Sequence, residues 1–363
     1  MKKVLVVDWL DAYGGAERVI RSLCSTFHFT ACYTLINVMK PHDQAKVFEG
    51  NNMPIHETKM KFTGGKFRML LPLFSYFLGT INIDPEADLI ISSSHAVAKG
   101  IKKSSPHQVH ISYFQARNLK YIWDDASLYF GKAHKIAAPL LKRMRKTDIK
   151  AAQRPDYIVS NSKFVQAWVK KTYNRDSEVI YPPVDLAHFS LKEKKEDYYV
   201  AVGRIEPYKR FDVVVKAFNT TGKKLVIVGD GSQLPELKRM ANDNISFTGF
   251  VETKEVNKHI SKAKGFVHAG IEDFGIAPIE AQACGTPVIA YGYGGVLETI
   301  IENETGIFFS ELTSESLEKS IHKFETLSFN PHLIRENAER FSIAQFESQM
   351  SNFVALKLKK NYS

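Results

Sequence analysis

Apolar positions along the chain fall into short, uninterrupted runs separated by stretches with helical spacing. VLVVDWL (4–10) is such a run. The loop DAYGG follows it, and then AERVIRSLCSTF, whose apolar residues recur every three or four positions. DLIISSSH (88–95), QVHISYF (108–114) and DYIVSNS (156–162) repeat the theme. A second series opens at YYVAVGR (198–204) and continues through KLVIVGDG (224–231), ISFTGF (245–250), GFVHAG (265–270) and TPVIAYG (286–292). Each run is short and rich in β-branched residues, as parallel strands covered on both faces should be. Two series of strand, Gly-bearing turn and helix predict an α/β protein of two doubly wound, Rossmann-like domains in tandem. The join lies near IYPPVDLAHF (180–189), where Pro182 and Pro183 bar both helix and central strand. The predicted domains are 1–185 and 186–341, and 342–363 reads as an amphipathic helix packing back on the first.

Length and composition agree with two globular domains: 363 residues, 44% of them hydrophobic. No apolar run approaches the ~20 residues that span a bilayer. The chain enters a strand pattern at once, so no secretory signal is expected. Cys24, Cys32 and Cys284 have no metal-like spacing and read as small core residues in a reducing cytoplasm. Charge changes the picture more. Residues 1–190 carry 27 Lys/Arg against 16 Asp/Glu, the remainder 22 against 23, so the net +10 belongs to the first half. That asymmetry points to an anionic partner there, either nucleic acid or an anionic membrane surface. Residues 60–79 mix Lys61, Lys66 and Arg68 with Phe62, Phe67, Leu70, Leu71, Leu73, Phe74, Tyr76 and Phe77. They read either as an interfacial membrane segment or as a core helix with basic edges. KRMRKTDIK (142–150) reads as a solvated helix face, or as a second contact for lipid phosphates.

The candidate chemistry centres on EDFGIAPIEAQACGTPVIAYGYGG (272–295), in which Glu272 and Glu280 stand eight positions apart. A turn leads there into a helix N-terminus that can face a charged ligand, with carboxylates to hold sugar hydroxyls. Arg204 and Lys209 follow the strand that ends at Gly203, at a sheet edge where doubly wound proteins bind ligands. Two cations at such a turn suit a diphosphate, whose charge they neutralise as it leaves. Gly14 and Gly15 lie between the first strand and first helix, where a small turn lets phosphate or sugar approach the backbone. His95 closes its strand and, as a neutral imidazole, can bond a sugar hydroxyl or phosphate. There is no Asp-x-Asp metal motif, no phosphate loop of the GxxxxGK[ST] type and no GxSxG elbow, so ATPase, kinase-like and hydrolase readings lose support.

Taken together, WLDAYGGAERV, ISSSHAVAKG, VIYPPVD, VGRIEPYKRFDVVVKAF, VGDG and EDFGIAPIEAQACGTPVIAYGYGG resemble glycosyltransferase family 4. These are retaining enzymes of GT-B fold, two Rossmann-like domains facing a central cleft. The likeness is nearest the WbaZ-like bacterial mannosyltransferases of O-antigen and exopolysaccharide assembly. The resemblance implies that Arg204 and Lys209 grip the donor diphosphate and that Glu280 holds the nucleotide ribose. It places Glu272 near the donor hexose, with Phe274, Gly275 and Ile276 giving backbone contacts to sugar and phosphate. Gly14 and Gly15 match the N-domain glycine loop, His95 a histidine near the transferring sugar, and Gly249, Phe250 and Val251 the strand end beside the base. Two stretches depart from the pattern: Gln115, Ala116 and Arg117 replace a His-Thr-Pro element, and His268 and Ile271 replace a Pro-Gly-Glu-like run. They touch acceptor identity and donor hexose choice respectively.

The expected reaction is hexose transfer from a nucleotide sugar, GDP-mannose by resemblance, with retained configuration and no cofactor or metal. Cleft closure would exclude water. No side chain stands out as a nucleophile, which favours front-face attack with the departing phosphate taking the acceptor proton. The expected acceptor is a glycan or polyprenyl-diphosphate-linked chain at the inner face of the plasma membrane, which makes the protein cytoplasmic and peripheral. A UDP-sugar transferase or sugar-nucleotide epimerase of the same fold is the nearest alternative. A basic nucleic-acid binder without catalysis is another, but it leaves Glu272 and Glu280 unexplained.

Overall fold

The computed structural model describes residues 1–49, 51–119, 122–124 and 134–362. The chain divides into two compact units, Met1–Pro183 with Ala344–Ser363, and Val184–Ile343.

The first unit is built on strands β1 (Lys3–Val7), β2 (Ala31–Thr34), β3 (Ile55–Glu57), β4 (Leu89–Ser94), β5 (Val109–Phe114), β6 (Tyr157–Ser160) and β7 (Glu178–Val179). All pair in parallel, in the order β3-β2-β1-β4-β5-β6-β7 among the described residues. Every residue of β4 and β5 is buried, serines included. Those serines need partners inside the sheet: Ser92 Oγ donates to Ser112 Oγ at 2.7 Å and lies 2.8 Å from His110 Nε2. One face is covered by the helix Gly15–Phe27, which places Val19, Ile20, Leu23, Cys24 and Phe27 on a single stripe. The helix Ile343–Tyr362 adds Phe346, Met350, Phe353, Val354 and Leu358 to the same core, at the three- and four-residue spacing of one helix face.

Residues 59–78 lie on the other face. The expected regular helix does not form. Gly64, at φ 53°, breaks a 3-10 segment Lys59–Leu73, Pro72 follows, and only Phe74–Leu78 is α-helical. Met60, Phe67, Phe74 and Leu78 anchor the segment in the core. Phe62, Met69 and Tyr76 stay exposed, as do Lys61 and Lys66. KRMRKTDIK lies in the helix His134–Ala151, and one of its residues corrects the solvated-face reading. Asp148 is buried and pairs with the buried Lys99 at 2.7 Å, while Trp123 Nε1 and Tyr173 Oη donate to its carboxylate at 2.8 and 2.6 Å.

The second unit holds β8 (Glu196–Val202), β9 (Leu225–Val228), β10 (Ile245–Gly249), β11 (Ala263–His268), β12 (Val288–Tyr291) and β13 (Gly306–Phe309). Its order is β10-β9-β8-β11-β12-β13, again parallel throughout. Chain order reverses between β8 and β11, which leaves a crevice outside their carboxyl ends. The first sheet reverses likewise between β1 and β4.

Candidate functional site

The turn that leaves β8 carries the predicted cations, and it is held from below by glycine. Gly203 N–H donates to the Val228 carbonyl at 3.0 Å and Ile205 N–H to Asp230 at 2.9 Å. A Cβ on Gly229 would lie 2.0 Å from the Gly203 carbonyl oxygen, so only glycine lets the two turns approach. The GDG run at 229–231 is thus the bed on which the Arg204–Lys209 turn rests. Glu206 adds a clasp, accepting from Ser232 Oγ at 2.6 Å.

Arg204 is exposed and its guanidinium donates to Tyr208 Oη at 3.1 Å. Lys209 Nζ lies 5.5 Å from the centroid of the same tyrosine ring, so Tyr208 spans the two cations. Sequence reasoning passed over Tyr208; its place between the cations in RIEPYK was the available signal. Lys209 reaches across the switch point and pairs with Glu272, on the loop after β11. Burial works against the lysine's charge, but the Glu272 charge and hydrogen bond outweigh it, and the Lys209 pKa stands above its ordinary value.

The Glu272 loop is fixed from behind by the diglycine at its far end. Gly295 N–H donates to the Glu272 carbonyl at 2.9 Å. Gly294 has φ +89° and a Cβ there would meet that carbonyl oxygen at 2.6 Å. Phe274 is buried against Phe341 with ring centroids 5.5 Å apart, and Gly275 caps the helix Ile276–Ala283, which carries Glu280, itself buried. His268 ends β11 and is fully enclosed. Its pKa is lowered to about 4, first by burial and then by the Lys209 charge, with Glu272 acting the other way. Gly249, Phe250 and Val251 leave the carboxyl end of β10, where Gly249 bridges Gly229 and Phe250 is 76% exposed.

The structure therefore gathers Gly203, Arg204, Lys209, Gly249, Phe250, Val251, Glu272, Phe274, Gly275, Ile276 and Glu280 along the carboxyl edge of one sheet. Gly14, Gly15 and His95 belong to the other unit and are described there. Gly14 precedes the helix Gly15–Phe27 and its N–H donates to Glu17 at 2.9 Å. His95 follows β4, with Nδ1 3.3 Å from Asp8 and its ring edge-on to Trp9 at 4.3 Å. Asp8 was not singled out from the sequence. Its buried carboxylate accepts the backbone N–H groups of His95, Ala96, Val97 and Ala98 at 2.6–2.9 Å, which fixes the whole loop after β4. The signal was a carboxylate at the end of an apolar strand, a place that demands partners.

Gln115, one of the departures, donates to the Ala16 carbonyl at 3.1 Å and to Ser93. Arg117 pairs with Asp124 at 3.0 Å. Lys120, Tyr121 and Asp125 of the same stretch lie outside the described residues. The three cysteines are buried and free, and burial raises the Cys24 and Cys284 thiols to about 12, which keeps them unreactive. Among the described residues no group of three or more His, Cys, Asp or Glu could hold a metal ion, and no helix is long and apolar enough to cross a membrane.

Residues 185–341 match the family described as glycosyl transferases group 1. The O-antigen chain mannosyltransferase RfbU of Salmonella typhimurium is 27% identical over 217 residues, 56% of this chain and 61% of its own length. The GDP-mannose-dependent alpha-(1-6)-phosphatidylinositol monomannoside mannosyltransferase of Mycobacterium tuberculosis (strain H37Rv) is 37% identical over 126 residues, 30% of this chain and 33% of its own. The chain thus spans less than two thirds of these relatives. Among solved structures, Anabaena HepE in complex with UDP superposes with a TM-score of 0.70 at 14% identity, covering 98% of this chain and 100% of that one. Sucrose-phosphate synthase from Thermosynechococcus elongatus gives 0.71 at 16% identity, covering 99% and 100%. These likenesses show the fold: two parallel-sheet Rossmann-like domains of GT-B type, with the family match falling in the second.

Proposed function

We propose that this chain transfers a hexose from a nucleoside diphosphate sugar to an acceptor hydroxyl with retained anomeric configuration. The observation that carries the reading is the pairing of Lys209 with Glu272 across the β8/β11 switch point, with Arg204 joined to the same turn through Tyr208. A diphosphate at that crevice meets two cations, and the sugar attached to it meets a carboxylate. In this reading Arg204 and Lys209 supply the positive charge that stabilises the departing diphosphate, with no metal or other cofactor. The leaving phosphate takes the proton of the acceptor hydroxyl as the new glycosidic bond forms on the same face. Glu280 and the N-terminal turn of the helix Ile276–Ala283 hold ribose and phosphate. Gly249, Phe250 and Val251 flank the base.

GDP-mannose is the proposed donor, supported by mannosyltransferase relatives, one of them named as GDP-mannose-dependent. A UDP-sugar is the second reading, favoured by the UDP in the HepE complex. Thermal-shift measurements with GDP, UDP and ADP and their sugars separate the two, and NMR of the transferred sugar reads its anomeric configuration. Stabilisation by none of these ligands would overturn the proposal.

The acceptor we propose is a glycan on a polyprenyl diphosphate, reached from an anionic membrane face inside the cell, as part of surface polysaccharide synthesis. Support comes from the first unit. There the two basic, apolar stretches meet in one groove of about 380 Å³ lined by Leu71, Leu73, Tyr76, Leu140, Arg143 and Met144. Its apolar wall suits an isoprenoid chain and Arg143 a phosphate.

A further inference from the structure

His268 is a buried side chain whose hydrogen bonding is incomplete. Its Nε2 has no hydrogen-bond partner, although the residue is only 6% exposed. A buried polar atom left in this state needs an explanation. The Gly270 backbone favours the charged imidazole, as a carbonyl accepting from the ring does, and in the neutral tautomer that serves it from Nδ1 the unpartnered Nε2 carries a lone pair. The lone pair faces Glu272 Oε1 at 3.9 Å. Two acceptors facing each other cannot bond. One proton on Nε2 would make them an ion pair.

Burial keeps the proton away first, and Lys209, whose ammonium occupies the same Glu272 oxygen, adds to it. The charged groups acting on the ring are Glu272, from its own loop, and Lys209, from the turn after β8; its registered partner on β12, Ala290, is uncharged. Lys209 also lies against Gly270, where a Cβ would meet Lys209 Cα at 3.2 Å. A diphosphate offers Lys209 more negative charge than one carboxylate does. As the lysine turns to it, Glu272 loses its cation.

We propose that His268 is a positioning residue for Glu272, taking up a proton from solvent at Nε2 and pairing with the carboxylate when the donor diphosphate draws Lys209 away. The inference rests on the nucleotide-sugar reading above and deepens it. Only the N–H bond on Nε2 forms; nothing is exchanged with the sugar. The imidazolium then holds Glu272 in place for the hexose hydroxyls.

The ring is neutral in the free protein above about pH 4 and charged in the donor complex, so its pKa is raised by binding. Donor affinity is therefore strengthened below the complex's pKa and loses this contribution as pH rises through it, by up to tenfold per pH unit between the two values.

The test is calorimetric titration of the whole protein with GDP-mannose and with UDP-glucose at pH 5.5–7.5, in buffers of different ionisation enthalpy. An intact nucleotide sugar is used because its diester phosphates do not titrate in that range. The expected result is uptake of a fraction of a proton on binding by the natural protein, and none by His268→Asn or His268→Gln. Both variants should bind more weakly at pH 5.5, with affinity that no longer varies with pH. Binding without proton uptake in the natural protein, or uptake that persists in both variants, overturns the inference and leaves the donor site standing. Failure of the natural protein to bind either sugar nucleotide overturns the functional reading and this one with it. Should neither variant fold, the His268 ring proton resonances of the natural protein decide: an unchanged titration on adding donor rejects the proposal.

Discussion

Lys209 is half-enclosed, and burial alone would weaken its charge; Glu272 restores it. A lysine in this state is poised, because it can exchange one anion for another without losing its proton. Lys209→Met should therefore lower kcat roughly 10²–10³-fold, the cost of removing one preorganised group from a developing anion. Arg204→Ala should act in the same direction, and in both variants acceptor KM should change far less than kcat. Steady-state transfer assays check this, and an Arg204→Ala enzyme working at the natural rate would contradict the assignment. Backbone constraint matters at the same scale. Gly294→Ala forces a Cβ onto the Glu272 carbonyl from a left-handed backbone, so it should cost about 1–3 kcal/mol of stability and shift the Glu272 loop. Thermal melting and donor affinity measured together report both effects.

Elements differ in how far the sequence reveals them. β1, β4 and β5 are buried almost end to end and β8 over Tyr199–Ala201, and the apolar runs they contain mark them in the sequence. β3 and β7 have three and two residues, lie at the edges of their sheet and are partly exposed, so no pattern distinguishes them from loop. β2 (ACYT) is buried but too short to show a period, and β13 (GIFF) follows a polar turn that hides it. The 59–78 segment misleads for another reason: its composition fits a helix, but Gly64 and Pro72 break the backbone. Site legibility divides the same way. Arg204, Lys209, Glu272 and Glu280 announce themselves as charges beside strand ends. Asp8 and His268 act through contacts that no spacing encodes, whereas Tyr208 stands four residues after Arg204 and beside Lys209. The Lys99–Asp148 pair is a further case, since 49 positions separate two charges that the fold buries together. Asp148→Ala should strand the lysine and cost about 3–5 kcal/mol in urea unfolding. Replacing both residues with apolar ones of similar volume should recover much of that loss.

At the scale of the whole molecule, the two units divide the charge unequally, and the basic excess lies in the first. Lys61 and Lys66 stand beside exposed Phe62 and Met69, whereas Arg68 is tied to Asp11 and stacks on Phe67. Vesicles containing anionic lipid should therefore sediment the protein, and neutral vesicles should not. Lys61→Glu with Lys66→Glu should weaken the binding about tenfold or more, since each lysine near such a surface is worth about 1 kcal/mol. Raised salt should weaken it further. Binding indifferent to lipid charge and to both lysines would count against the membrane-facing reading. The proposed donor site lies in the second unit and is independent of that result. Its most direct test is a crystal structure with bound GDP-mannose or UDP-glucose. The account predicts the diphosphate outside the carboxyl ends of β8 and β11, within hydrogen-bonding reach of Arg204 and Lys209, with the hexose toward Glu272. Diphosphate density anywhere else on the protein would contradict it.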